Sequence, residues 1–129
     1  MSIAKMIALH PDVDEDFNET LATAARHAKL CAAICTSCVD ACVAEPMDMR
    51  QCIRSCLDCA DVCSATGSLA IRRTAQNIES LRLMLETCAA ICDLCADECS
   101  RHDNRHCKLC AEMCRECAAD CRRAHPTVQ

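Results

Sequence analysis

Glycine occurs once among these 129 residues, at Gly67, and an aromatic side chain occurs once, at Phe17. Tryptophan and tyrosine are absent, and there are three prolines. A single glycine cannot supply the tight turns of a β-sandwich or barrel, which excludes an all-β fold. Glycine-rich phosphate loops are missing, and with them the common nucleotide-binding motifs. One ring and a net charge of −5 provide neither base stacking nor phosphate neutralisation, so no nucleic-acid partner is expected. No apolar run reaches the ~20 residues of a membrane span, so no membrane partner is expected either. The length suits one domain around one core.

What the chain has is cysteine: 17 residues, about 13% of the total, well above the level that marks a special role. Two observations argue against a disulfide framework. The first eleven residues, from Met1 to Pro11, carry one lysine and a broken apolar stretch, shorter than a secretory signal needs. The protein is therefore expected in the cytoplasm, where thiols stay reduced. The count is also odd, which leaves at least one thiol unpaired within a monomer.

The cysteines form sets of one spacing. Cys31, Cys35, Cys38 and Cys42 make the first, Cys52, Cys56, Cys59 and Cys63 the second, and Cys88, Cys92, Cys95 and Cys99 the third. Each reads C-x3-C-x2-C-x3-C. Cys110, Cys114, Cys117 and Cys121 repeat the unit, with Cys107 one step earlier. Steps of four, three and four residues place side chains on one stripe of an α-helix. The stripes continue with core residues: Phe17, Leu21, Ala24 and Ala28 before Cys31, Met49 before Cys52, Thr66 and Ala70 after Cys63, and Ile78, Leu81 and Leu85 before Cys88. Between the stripes lie Asp58, Asp61, Glu86, Asp93, Asp97, Glu98, Lys108, Glu112, Arg115 and Glu116, read as solvated faces.

The pattern predicts an all-α, antiparallel up-down four-helix bundle with a Cys-lined core. Residues 1–13 are an N-terminal segment, a short helix or a tail, and residues 14–125 a single metal-binding bundle domain. The acidic run after Pro11 suits a helix start near residue 14, and Pro46 marks the first corner. A second corner falls near Ala75 to Asn77, with Gly67 inside the second helix. Asp103 and Asn104 are cap candidates for the fourth helix, which ends before Pro126. The first and third corners then share one end of the bundle, beside all four cysteine sets. Phe17, Leu21, Ile78, Leu81 and Leu85 close the other end.

Thiols at i and i+4 or i+3 on a helix have Cβ atoms about 5–6 Å apart. Such pairs straddle one ion, and a sulfur from a neighbouring helix makes the site trigonal. These low coordination numbers suit multiple Cu(I) ions, which favour thiolate. Charge points the same way. A core near one Cu(I) per thiolate is close to neutral, whereas zinc in a four-thiolate site carries a formal −2, costly without buried cations. The alternatives are a zinc-binding metallothionein-like buffer and, further off, a thiol redox protein, which needs an exposed activated thiol. Met47 and Met49 at the first corner, with His102 and His106 at the third, are possible auxiliary ligands at the thiol end. Met113 and His27 flank the stripes and are further auxiliary candidates. No catalytic role is assigned, and the protein is read as a non-enzyme.

The four Cys-bearing helices resemble the cysteine-rich four-helix-bundle copper storage proteins of bacteria, over residues 17 to about 123. Segments such as Cys52-Ile-Arg-Ser-Cys56-Leu-Asp-Cys59-Ala-Asp-Val-Cys63 and Cys107-Lys-Leu-Cys110-Ala-Glu-Met-Cys114-Arg-Glu-Cys117 carry the likeness, and the N-terminus is similar to the cytosolic branch. The resemblance implies storage of many Cu(I) ions per protomer with every cysteine a ligand. It also implies His102 and His106 near the mouth, and a homo-oligomer, commonly a tetramer. The copper donor or acceptor is not readable from it.

Overall fold

The computed structural model describes residues 2–129. A short helix, α1 (Ile3–Ala8), precedes four long ones: α2 (Glu19–Val43), α3 (Arg50–Ile71), α4 (Ile78–Ser100) and α5 (Arg105–Ala124). A 3-10 turn over His125–Thr127 follows α5. The long helices form an antiparallel ring in which α2 packs on α3 and α5, and α4 on α3 and α5. Among the described residues there is no strand, and no helix is long and apolar enough to cross a membrane.

Local chemistry sets the boundaries. The Asn18 side chain caps α2 by accepting from the Leu21 amide at 2.9 Å, so the helix starts at Glu19 and not near residue 14. The acidic run expected to start that helix forms a turn instead. Asp14 and Glu15 take positive φ angles of 52° and 61°, and the Glu15 amide donates to the Ala8 carbonyl at 2.8 Å. This fold-back buries Ala4, Ile7, Ala8 and Val13. It also leaves Phe17 ahead of the cap and 53% exposed, contrary to its expected place in the closed end.

At the second corner, Asn77 accepts from the Thr74 amide at 2.8 Å, which ends α3 at Ile71 and keeps Gly67 internal. The one glycine has a packing reason. A Cβ there would meet Lys29 Cγ at 2.9 Å, and Lys29 crosses α3 to donate to the Ser64 carbonyl at 3.0 Å and to Ser68 Oγ at 2.6 Å. At the third corner Asn104 holds the N-cap position of α5 without a side-chain cap bond. Its amide donates across the bundle end to Glu45, so it ties two corners together and does not cap a helix.

The core has two zones. Leu21, Leu81 and Leu85 fill the base with Ala24, Ala28, Thr66 and Ala70, and Ile78 packs against them half-buried. The C-terminus seals this end: Val128 is buried, Arg82 Nε donates to its carbonyl at 2.8 Å, and Asn18 donates to Thr127 Oγ1 at 3.0 Å. Cysteine lines the rest, with buried alanines such as Ala89, Ala96, Ala111 and Ala118 between the stripes.

Candidate metal centre

All 17 cysteines are free thiols and none is more than 3% exposed. The four stripes face one another, so most neighbouring sulfurs come from different helices, joined by same-helix pairs such as Cys59–Cys63 at 3.8 Å and Cys95–Cys99 at 3.9 Å. Near the open end Cys52 Sγ lies 3.8 Å from Cys42, 3.8 Å from Cys99 and 4.0 Å from Cys107. In the middle Cys56 is 3.6 Å from Cys99 and 3.9 Å from Cys110, and Cys35 is 3.7 Å from Cys110 and 3.8 Å from Cys114. Deeper, Cys59 is 3.9 Å from Cys114 and 3.8 Å from Cys92, and Cys63 is 3.5 Å from Cys92 and 3.7 Å from Cys88. Cys117 and Cys121 extend the α5 stripe below Cys114 and are fully buried. The thiols form one continuous column along the bundle axis.

Groups of four ligand atoms fall within 4.8 Å of one another, and consecutive groups share sulfurs. Cys31, Cys59, Cys63 and Cys92 form one, and Cys31, Cys35, Cys59 and Cys114 the next. Cys35, Cys95, Cys110 and Cys114 continue the column, followed by Cys56, Cys95, Cys99 and Cys110. A metal–thiolate bond of about 2.3 Å sets sulfurs roughly 3.8 Å apart in a tetrahedron and roughly 4.0 Å apart in a triangle. The spacing therefore admits either coordination, and the sharing and the charge discriminate. Shared sulfurs suit bridging clusters, not separate four-thiolate sites. The buried polar residues are Thr66, Glu98 and Asp120, so among the described residues no lysine or arginine is buried to offset an anionic centre.

At two thiols near the mouth, burial governs the proton. It pushes the Cys42 thiol up to about 11 and the Cys107 thiol up to about 12, with the negative charge of a neighbouring Cys52 thiolate adding to both. Near neutral pH these thiols are protonated, and a metal must displace the proton.

The histidines and methionines part company. His106 Nδ1 lies 3.3 Å from Cys38 Sγ and 3.6 Å from Cys107 Sγ, and it completes a group with Cys38, Cys42 and Cys107. Its Nε2 is buried without a hydrogen bond, 3.9 Å from the Glu45 carboxylate. His102 turns from the sulfurs to Glu98, at 2.8 Å. Met49 is 3% exposed within the sulfur core, while Met47 stands 51% exposed at the rim with its sulfur 3.8 Å from the Asn104 amide. Met113 is buried in the core wall. His27 donates to Asp120, between α2 and α5.

Three carboxylates belong to this picture without having been singled out as site residues. Glu98 is not solvated as expected: it is buried and accepts from His102 and from Arg101 at 3.2 Å. Its spacing of four residues before His102 is the signal that could have found it. Asp120 is buried between His27 and Arg123, and Glu45 reaches the mouth only through the tertiary fold.

Comparisons with known proteins agree with this geometry. A family model described as copper storage protein (Csp) matches residues 17–126. The chain is 34% identical over 94 residues to the uncharacterized cysteine-rich protein YhjQ of Bacillus subtilis, spanning 71% of this chain and 83% of that protein. It is similar to the copper storage protein Ccsp from Streptomyces lividans loaded with 10 copper equivalents, with a TM-score of 0.87 and 37% identity over 97% of this chain and 98% of that one. A cytosolic copper storage protein from Streptomyces lividans carrying five coppers superposes with a TM-score of 0.80 and 41% identity, over 84% of this chain and 93% of that one. The buried sulfur column and the match over most of its length together place this chain in the copper storage protein family.

Proposed function

We propose that this chain stores and sequesters Cu(I) in the cytosol, holding many ions as cargo on the thiolates of the bundle core, for copper homeostasis and detoxification. The observation that carries this reading is the column of shared sulfurs with no buried cation. One Cu(I) replacing one thiol proton keeps such a core neutral, and each thiolate can bridge two ions. A four-thiolate zinc site would place a formal −2 beside buried Glu98 and Asp120, which the zinc-buffer reading does not accommodate. The thiol redox reading lacks an exposed thiol.

In this reading all 17 cysteines are ligands, and His106 is the nitrogen ligand of the outermost site. Met49 supplies a buried thioether at the first corner, and Met47 a rim thioether for an arriving ion. His102, Met113 and His27 are held by other partners and serve structure first. The role is sequestration, not catalysis. The storage unit is the bundle of residues 14–125, with residues 2–13 as its base cap, and the protomer belongs to a homo-oligomer, a tetramer by family resemblance.

Anaerobic Cu(I) titration with elemental analysis tests the proposal. Saturation is expected near one ion per thiolate, roughly 15–20 ions per chain. Saturation at four ions or fewer would sink it.

A further inference from the structure

The mouth is not the only place where an imidazole, a carboxylate and the thiol column meet. The groove between α4 and α5 at the base, about 350 Å³, is lined by Leu85, Glu86, Ala89, Cys121, Arg122 and His125. Cys121 is the last thiol of the α5 stripe and forms part of the groove wall. His125 follows it by four residues and keeps helical geometry, with φ −49° and ψ −52°. Its ring therefore lies on the same helical face as Cys121. Across the groove Glu86 holds His125 Nε2 at 2.8 Å. A carboxylate that takes the Nε2–H leaves Nδ1 with its lone pair, an arrangement typical of metal-binding histidine.

The mouth has the same order of groups. There Glu45 faces Nε2 of His106, and Nδ1 faces Cys38 and Cys107. Behind His125 the donors are equally soft. Cys121 follows Cys117 by four residues on the α5 stripe, both fully buried, and on the facing helix α4 Cys88 joins the column through Cys63 at 3.7 Å and Cys92 at 4.0 Å. The rest of the base is closed by Leu21, Leu81 and Val128. From Cys107 to Cys121 the α5 stripe runs about 21 Å at 1.5 Å per residue. An ion at the base that could leave only by the mouth would have to pass every occupied site on that path.

We propose that this groove is a second Cu(I) port, in which His125 relays ions between solvent and the basal thiol cluster of Cys88, Cys117 and Cys121. Cu(I) exchanges at this port by ligand substitution alone: His125 Nδ1 and a thiolate bind the ion in turn, and no electron moves. The port rests on the storage reading and adds a second route for the same cargo.

The test is release from fully loaded protein under anaerobic conditions, with bathocuproine disulfonate as the acceptor and its coloured Cu(I) complex as the readout. Wild type is expected to empty in two phases. His125→Ala should slow one phase ~10-fold without changing the number of ions loaded, and His106→Ala should spare that phase and slow the other. His125→Met should restore the rate, because a thioether binds Cu(I) while a purely structural ring would not be replaced. Release from His125→Ala that superimposes on wild type, or His125→Met as slow as His125→Ala, overturns the port. Either result with a full copper load leaves storage standing, whereas a wild type that takes up four ions or fewer removes storage and port together.

Discussion

Filling the core with Cu(I) should acidify the solution by up to one proton per thiol. Every cysteine is at most 3% exposed, and no buried cation offsets a thiolate among the described residues. Even at the mouth, Cys42 is pushed up to about 11 and Cys107 up to about 12, first by burial and then by Cys52. A thiol four units above the working pH is ionised in about one molecule in ten thousand. Hydrogen bonds among the sulfurs pull other thiols down, Cys52 and Cys59 to about 7, but with no buried cation to balance several thiolates the 17 thiols of the metal-free protein still enter the reaction carrying most of their protons. The assay is an anaerobic pH-stat titration with a Cu(I)–acetonitrile complex, whose ligand takes up no protons at neutral pH. Early ions that each engage two thiols should release two protons apiece. The slope should then fall as sulfurs become bridging, with a total of roughly 11–17 according to how many of the lowered thiols are already ionised. The apparent affinity of a site that displaces one proton should rise about tenfold per pH unit until the thiol pKa is reached. A total below about eight protons would refute the reasoning, because it would mean that the empty core already holds thiolates.

The same shifts set an alkaline limit on the metal-free fold. A thiol whose pKa is raised on folding contributes stability that is complete below its unfolded value, about 8.5, and is lost as pH rises through the folded values of about 11 and 12. The melting temperature of reduced protein should be flat to about pH 8 and fall beyond it, and a flat profile to pH 11 would contradict the assignment. Leu85→Ala, at a base position 1% exposed, should cost about 3 kcal/mol in chemical denaturation of the metal-free protein while leaving copper capacity unchanged. Gly67→Leu should cost about 1–3 kcal/mol in the same assay by driving Lys29 off Ser64 and Ser68. His106→Ala should slow initial Cu(I) uptake in stopped-flow mixing and His102→Ala should not, since only His106 faces sulfur.

Periodicity made the stripes legible, because a 4-3-4 step has one geometric reading, and short corners then fixed which ends of the helices meet. Gly67 inside α3 also followed, from matching the lengths of partner helices. The N-terminal boundary did not, since an acidic run after a proline serves a helix start and a turn equally well. What decided it was burial of Ile7 and Val13 against the bundle, a tertiary gain with no local signature. Phe17 was misplaced for the same reason. The two mouth histidines look alike in sequence, yet His106 faces Cys38 while His102 is held by a buried Glu98. That difference depends on which flank of the stripe each occupies. Glu45 sits 61 residues before His106, a separation over which sequence pattern carries no contact information.

Consecutive four-sulfur groups have two members in common: Cys31 and Cys59, then Cys35 and Cys114, then Cys95 and Cys110. An array built this way is fault-tolerant. Losing one thiol from an isolated four-ligand site abolishes that site, whereas losing one from an overlapping array lets the neighbours re-partition. Capacity should then decline by small steps as cysteines are removed singly, with no threshold at which the core stops holding metal. Such a core can gain or lose a cysteine over evolutionary time and keep its role throughout.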